Sequence, residues 1–186
     1  MTEHGLPWLE TERLLLTIPS PADAEALLRY AIRNREHLRP WSPPEPPEAL
    51  TLAGTLQRVA TMHRSFEAGT AVRLWLRYRT APSGEFLGAV SLAGIMLNAF
   101  RACLLGYHLD HAATGQGLMT EALQRVIRYA FDELKLHRLM ANYVPTNERS
   151  AALLRRLGFA VEGYARDYLF IDGKFRDHVL TSLTNA

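Results

Sequence analysis

A 186-residue chain with a single cysteine, Cys103, can neither close an intramolecular disulfide nor build a cysteine metal cluster. A reducing compartment is the simplest setting, so a cytoplasmic protein is expected. No apolar run approaches the ~20 residues needed to cross a bilayer, and no membrane association is expected. The opening "MTEHGLPWLETERLLL" has no basic segment leading into an apolar one, so no secretory leader is expected either. Charge of one sign is equally scarce. Against 21 Lys and Arg stand 19 Asp and Glu, a net charge of +2, and the basic residues are scattered rather than gathered in an arm. That excludes the dense basic patch of a nucleic-acid binder, while leaving room for an acidic ligand or a ribonucleoprotein partner. With 48% apolar and 22% charged residues, the chain suits one globular domain over residues 1–186.

Leu14 to Ile18 reads as a first strand. Ser20 and Pro21 then open a helix running through "ADAEALLRYAIRN", with serine as cap and proline in the first turn. "RPWSPPEPPEA" is a loop, because proline propagates neither helix nor central strand. Trp41 within it either packs or clamps an extended peptide. A second helix is expected from about Glu48 to Ala68. "VRLWLRYR" alternates apolar and basic residues, the period of a half-buried strand. After the turn "APSG", the stretches "EFLGAVSLAGIML" and "RACLLGYHL" read as a meander. Leu118, Ala122, Leu123, Val126, Ile127, Ala130, Phe131 and Leu134 keep helical spacing. With "RLMANYV" that helix completes a central βαβ unit. "NERSAALLRRLGF" is a short helix stopped by Gly158. "VEGYARDYLFI", "DG" and "KFRDHVLTSL" make a closing β-hairpin. The fold class is mixed α/β (α+β).

The stretch "AATGQGLMTEAL", residues 113 to 124, joins strand to helix through Gly115 and Gly117. A helix N-terminus carries unpaired N–H groups and partial positive charge, so it suits an anion. Glycines there let phosphate oxygens reach the backbone. No Gly-Lys-Ser/Thr follows, so it is not a Walker A loop, and the third glycine of the dinucleotide fingerprint is missing. About 30 residues on stands "NYVPTNERSAALLRRLGFAVEGY", where Asn147 or Thr146 suits a helix cap and Leu153, Leu154 and Leu157 suit a core face.

In this order the two motifs resemble the GNAT acetyltransferase family. That family carries a Gln/Arg-x-x-Gly-x-Gly/Ala turn opening a helix, and later an Asn at the head of a helix closing in Leu-Gly-Phe. The chain matches with Thr114-Gly115-Gln116-Gly117-Leu118-Met119 and with Asn147 through Leu157-Gly158-Phe159. "TERLLLT", "RNREHLRPW", "LGYHL", "GLMTEAL" and the tail "EGYARDYLFIDGKFRDHVLTSL" are similar to the RimJ-like branch, which acetylates the N-terminal alanine of a ribosomal protein. The resemblance implies a mixed, mostly antiparallel central sheet flanked by helices, with a splayed strand at the coenzyme A site. It implies acetyl-CoA as cosubstrate, no metal, and a protein N-terminus, ribosomal in that branch, as partner.

By the same resemblance, the main chain of Tyr107, His108 and Leu109 would pair with the pantetheine arm, and Asn147 would bond it. Gly115, Gln116, Gly117, Leu118, Met119 and Thr120 would hold the pyrophosphate by backbone N–H groups. The implied reaction is direct attack of a neutral amine on the thioester. It requires an oxyanion donor, a route for the amine proton and a proton for the leaving thiolate. The Leu109 N–H is the implied oxyanion donor, Ser150 the implied acid, and Asp167 the nominated base, acting through water. The chain departs from the family at four places. Thr114 replaces the usual Gln/Arg and Met119 the usual small residue. Leu154 stands where many members have a tyrosine acid, and Leu104 where many have a glutamate base. An α-amino group, partly neutral near pH 7–8, needs little help from a base, which favours a protein N-terminus over a lysine side chain.

His108 and His111 have no third ligand at metal spacing, so zinc is not expected. Cys103 reads as a core thiol. Ser150 lacks a nucleophile elbow, which argues against a hydrolase. Arg166 and Arg176 are either surface charges or contacts to an acidic partner. Two rivals to the N-terminal acetyltransferase stay open. One is acetylation of a small amine or aminoacyl compound, which requires a closed acidic pocket; a peptide acceptor requires an open groove between the early helices and the last hairpin. The other is a non-catalytic acyl-CoA-binding or ribosome-associated factor, which the missing Tyr and Glu would suit.

Overall fold

In the computed structural model, which describes residues 6–185, eight strands and four α-helices alternate along the chain. The strands are β1 (Trp8–Glu10), β2 (Leu14–Thr17), β3 (Ala71–Tyr78), β4 (Gly88–Met96), β5 (Ala102–Leu109), β6 (Arg138–Tyr143), β7 (Ala160–Ile171) and β8 (Lys174–Thr184). The helices are α1 (Ala24–Leu38), α2 (Leu52–Glu67), α3 (Leu118–Arg128) and α4 (Glu148–Arg156). The first five residues, on which the expectation of no leader partly rests, lie outside the described range. Among the described residues, no helix is long and apolar enough to cross a membrane.

The strands form one sheet in the order β1-β2-β3-β4-β5-β6-β8-β7. Every neighbouring pair is antiparallel except β5 with β6, the pair that α3 connects. This is the mixed, mostly antiparallel sheet that the sequence implied. The closing hairpin turns at Asp172 and Gly173, both at positive φ, which matches the right-handed twist of its strands.

Residues alternate faces along each strand, and the registers align them across the sheet. Leu74, Leu76, Val90, Leu92 and Leu105 share a face with Tyr107. Leu118, Ala122, Leu123 and Val126 of α3 are fully buried in the same apolar core. Burying side chains of this size stabilises by about 1.5–3 kcal/mol each, which explains why the 3.6-residue spacing was so clear in this segment. The opposite face carries Arg73, Trp75, Ala89, Ser91, Leu104, Gly106 and His108. Tyr30 of α1 packs edge-on to Trp75 there at 5.1 Å, and Trp75 meets Phe86 at 5.2 Å.

Several boundaries differ from the sequence expectation. While Arg73 stays exposed, from Leu74 to Arg77 β3 is buried on both faces rather than half-buried. Its Arg77 is accommodated by the Asp23 carboxylate at 2.7 Å and by the Phe86 ring beneath its guanidinium. The first helix begins as a 3₁₀ turn, Pro21–Asp23, and runs on to Leu38, stopped by Pro40. The second begins at Leu52, not Glu48, after a 3₁₀ turn at Pro47–Leu50; Thr51 caps it by accepting from the Gly54 N–H. α3 passes into a five-residue π turn, Tyr129–Glu133, instead of continuing as α-helix to 134. β1 is a strand the sequence did not suggest, since three residues are too few for an alternation to be read.

At the top of β4, Gly88 lies against β5 so closely that a Cβ would collide with the His108 carbonyl and sit 3.0 Å from Leu109 Cα. Gly88→Ala is therefore expected to destabilise the fold by about 1–3 kcal/mol, seen as a lowered thermal midpoint. An unchanged midpoint would show that this approach is not tight.

Candidate active site

β5 and β6 pair only where Ala102–Leu104 faces Arg138–Met140. Beyond that point β5 runs on to Leu109 and β6 to Tyr143 without pairing to each other. The sheet is thus split in its middle, and this is the splayed strand the sequence implied. Which groups face the split follows from the β4 side. The Asp110 N–H donates to the Leu87 carbonyl at 2.7 Å, and the His108 carbonyl lies against Gly88. Backbone groups alternate sides along a strand, so Tyr107 and Leu109 turn their N–H and C=O into the split.

His108 does not, which corrects the expectation that its main chain pairs with pantetheine: β4 already occupies it. The His108 side chain belongs to the packing beneath α1. Its Nδ1 lies 2.8 Å from the Tyr30 hydroxyl, and its ring is 5.4 Å from both Tyr30 and Trp75. Burial, reinforced by the nearby Arg73 and Arg58 charges, pulls its pKa down to about 4, so the imidazole is neutral at neutral pH.

The glycine turn sits at the end of β5. Gly115 (φ 78°) and Gly117 (φ 75°) both adopt the left-handed conformation, and no protein atom lies within 4 Å of where a Gly115 side chain would start. Gly117 is the residue preceding α3 and caps it with no side chain, so the first-turn N–H groups of Leu118, Met119 and Thr120 meet no capping oxygen. The side chains of Leu118 and Met119 point into the core; only their backbones are at the turn. Gln116 folds back, donating to the Ala112 carbonyl and accepting from Tyr78. Thr114, in place of the family's longer residue, spends its hydroxyl on the His111 carbonyl.

Two braces hold this turn. From α1, Asn34 is buried and donates to Asp110 Oδ2 at 2.9 Å, while its Oδ1 accepts from the His111 N–H. Asp110 also accepts from Arg33 and from the Ala112 N–H. Burial works to raise the Asp110 pKa, but these bonds from Asn34, Ala112 and Arg33 outweigh it and hold the carboxyl below its ordinary range. From the chain's start, Arg13 Nη1 donates to the Gln116 carbonyl at 3.0 Å, and its Nε pairs with Glu121 at 2.6 Å. The sequence reading missed Asn34 and Asp110 as site-builders. Asn34 lies within "RNREHLRPW" and Asp110 directly follows "LGYHL", yet nothing in either stretch reveals a bond across 76 positions.

Across the split, Asn147 caps α4 by accepting from the Ser150 N–H, the role its residue type alone suggested. Ser150 Oγ lies 2.5 Å from the Tyr107 hydroxyl, so the two sides of the split are bridged by hydroxyl groups. The Tyr107 side chain was not foreseen; only its main chain was. Burial pushes its pKa up to about 12, which keeps the phenol protonated. Leu154 is buried in the core. Cys103 is fully buried, and burial alone raises its pKa to about 12, as a core thiol requires. Among the described residues, no hydrogen bond joins Asp167 to Ser150. Asp167 sits exposed in an irregular stretch of β7 at φ 48°, with its N–H donating to Asp177.

The opposite sheet face is open. A cavity of about 390 Å³ lies between α2 and the start of β3, lined among others by Met62, Arg58 and Arg73. Beside it, a cavity of about 540 Å³ reaches from Leu104 and Met140 to Asn142 and Tyr168 on the closing hairpin.

The sequence pattern of the acetyltransferase (GNAT) domain matches residues 13–160. The chain belongs to the GNAT acetyltransferase family. It is 40% identical over 176 residues, 95% of this chain and 90% of the relative, to the [ribosomal protein uS5]-alanine N-acetyltransferase of Escherichia coli. Among solved structures, the ribosomal-protein-S5-alanine acetyltransferase of Vibrio fischeri superposes with a TM-score of 0.90 at 35% identity, covering 96% of this chain and 97% of that one. RimJ of Mycobacterium smegmatis, in complex with CoA-disulfide, gives 0.86 at 26% identity over 96% of this chain and 86% of that one.

Asn34→Ala is expected to cost about 1–3 kcal/mol of stability and to weaken coenzyme A binding roughly tenfold by loosening the turn, as read by calorimetry. Because the Asp110 pKa is depressed in the fold, its stabilisation is complete above about pH 4 and is lost as pH falls through the lowered value. Asn34→Ala raises that pKa and moves the acid loss upward. Unchanged affinity and an unmoved acid limb would remove the α1 brace from the account.

Proposed function

We propose that the chain acts as a single acetyltransferase domain that moves acetyl from acetyl-CoA to the N-terminal α-amino group of a protein, in the cytoplasm, with a ribosomal protein starting in Ala or Ser as acceptor. The observation that carries the choice of acceptor is the open face between α2 and the closing hairpin. A small polyamine calls for an enclosed acidic pocket; here the floor carries two arginines and runs out to the hairpin. The E. coli and V. fischeri relatives named for a ribosomal-protein alanine support the same reading.

The residues fit coenzyme A. The turn from Gly115 to Thr120 offers N–H groups to the pyrophosphate, with Gly115 open and α3 behind it. Tyr107 and Leu109 offer the pantetheine arm one strand edge, and Asn147 stands at the far wall, its Oδ1 engaged as a cap. Bound there, acetyl-CoA supplies the activated acyl group. The Leu109 N–H points into the split, where it can receive the carbonyl oxygen as charge develops. The amine attacks, the carbon–sulfur bond breaks, and the thiolate takes a proton. Tyr107, protonated at all working pH, can donate to Ser150 Oγ, and in that arrangement the Ser150 proton is free for the thiolate. The α-amino group, partly neutral near pH 7–8, attacks as the free amine and releases its proton to water.

Acetyl transfer from acetyl-CoA should be measured on short peptides starting with Ala, Ser or Met, with spermine alongside. Turnover is expected on the Ala and Ser peptides and not on spermine. Ser150→Ala should lower kcat roughly tenfold to hundredfold with KM for acetyl-CoA little changed. Turnover of spermine alone would overturn the acceptor. Acetyl-CoA binding with no turnover of any acceptor, and no effect of Ser150→Ala, would favour the non-catalytic factor.

A further inference from the structure

The cavity between α2 and β3 holds two cations that the reaction does not use. Arg58 projects from α2, with its side chain 18% exposed. Its Nη1 pairs with Glu45 at 2.9 Å, but its Nε and Nη2 are buried with no partner. Arg73, from β3, lines the same cavity and forms no ion pair or hydrogen bond among the described residues. Glu48 lines it too and pairs with neither arginine. Glu45 pairs with Arg58 alone, so the two guanidiniums still repel one another, and the two buried unpaired Arg58 nitrogens carry a desolvation penalty. Arg73 is exposed at its surface, yet desolvation by the surrounding protein and the Arg58 charge lower its pKa, with Glu45 only partly opposing.

The surroundings give the pocket a fixed shape. Gly54 lets the Pro47–Leu50 turn close on α2, since a Cβ there would collide with the Glu48 carbonyl. Pro46, Ala49, Met62 and Ala71 supply apolar walls. A guanidinium pair over apolar walls is built for a carboxylate, which it can hold in bidentate fashion.

The position of the pocket relates it to the acceptor. Arg73 aligns with Ser91 on β4 and with Gly106 on β5, on the sheet face opposite the glycine turn. Two strand spacings separate Arg73 from Gly106, and three residues separate Gly106 from Leu109. That places Arg73 about 14 Å from the Leu109 N–H. An extended chain advances about 3.4 Å per residue, so a peptide with its amine at Leu109 brings its third to fifth residue over Arg73.

We propose that Arg58 and Arg73 form an anion subsite that takes the side chain of an aspartate or glutamate at the third to fifth position of the acceptor protein. This rests on the N-terminal acetyltransferase reading and makes the enzyme selective for acceptors with an acidic residue just behind the reacting end.

The test uses hexapeptides starting with Ala that carry Glu or Gln at the third, fourth or fifth position. Wild-type kcat/KM should favour one of the Glu peptides roughly tenfold over its Gln partner, mainly through KM, and the preference should shrink as salt is raised. Arg73→Gln should bring the ratio close to one, and Arg73→Glu should reverse it in favour of a Lys peptide. Arg73 is exposed on a strand, so these variants test the subsite even if Arg58→Gln fails to fold. The same peptides with acetylated N-termini, bound in the presence of coenzyme A and read by fluorescence anisotropy, report the subsite without turnover. Selective binding of the acidic peptide with no turnover of any peptide would keep the subsite and overturn the transfer reading. Equal turnover of Glu and Gln peptides at all three positions, or a ratio unmoved by Arg73→Glu, would overturn the subsite and keep the transfer reading. Loss of both selective binding and turnover would overturn both.

Discussion

Parallel strands β5 and β6 share three residue pairs and then separate, leaving the N–H and C=O groups of Tyr107 and Leu109 directed at a gap in the middle of the sheet. Backbone polar groups inside a fold are nearly always paired, so a strand edge held open this way is a site for something that can complete it. The rest of the architecture maintains that gap. α3 leaves from one strand and α4 from the other, so each carries its own wall of the cleft. β6 is held away by β8, which pairs with it along its whole length. β5 is held on its other side by β4, closely enough that Gly88 must be glycine.

The gap also assigns labour between the two sheet faces. On the α3 side lie the uncapped helix start, the two left-handed glycines and the Tyr107–Ser150 contact, all suited to a phosphorylated, strand-like ligand and its leaving group. On the α1–α2 side lie a neutral, half-buried histidine, two arginines and an open groove. An amine and a thioester arriving from opposite faces meet where the strands part. Precision in the glycine turn comes from remote pieces. Asn34 and Arg33 reach it from α1, and Arg13 and Glu121 join it to the chain's start. Held this way, the turn presents its N–H groups in a fixed array, which reduces the ordering cost of binding.

What the sequence revealed divides along physical lines. The glycine turn was legible because Gly115 and Gly117 occupy backbone conformations that side chains resist. α3 was legible from its single apolar face, and the hairpin from Asp172-Gly173. The split was implied by family likeness alone: β5 has an ordinary strand pattern, and nothing local records that its partner leaves after Leu104. For the same reason the main-chain role given to His108 was misplaced, since strand alternation can be phased only once β4 is in position. The hydroxyl bridge from Tyr107 to Ser150, 43 residues apart, and the Arg58–Arg73 pair depend on tertiary placement that no spacing encodes. Asp167 was nominated because family likeness puts its hairpin strand beside the acceptor; its place in an exposed irregular stretch of β7 is a property of strand pairing.

Coenzyme A completes β5 as an added strand edge and is clamped by the following turn if residue-resolved amide hydrogen exchange, with and without coenzyme A, changes at the strand as well as at the turn. New protection is expected at Tyr107, Leu109 and the amides from Gly115 to Thr120, while His108, already paired to β4, is protected equally in both states. Protection confined to the turn, with Tyr107 and Leu109 exchanging as fast in the complex as in the free protein, would contradict it.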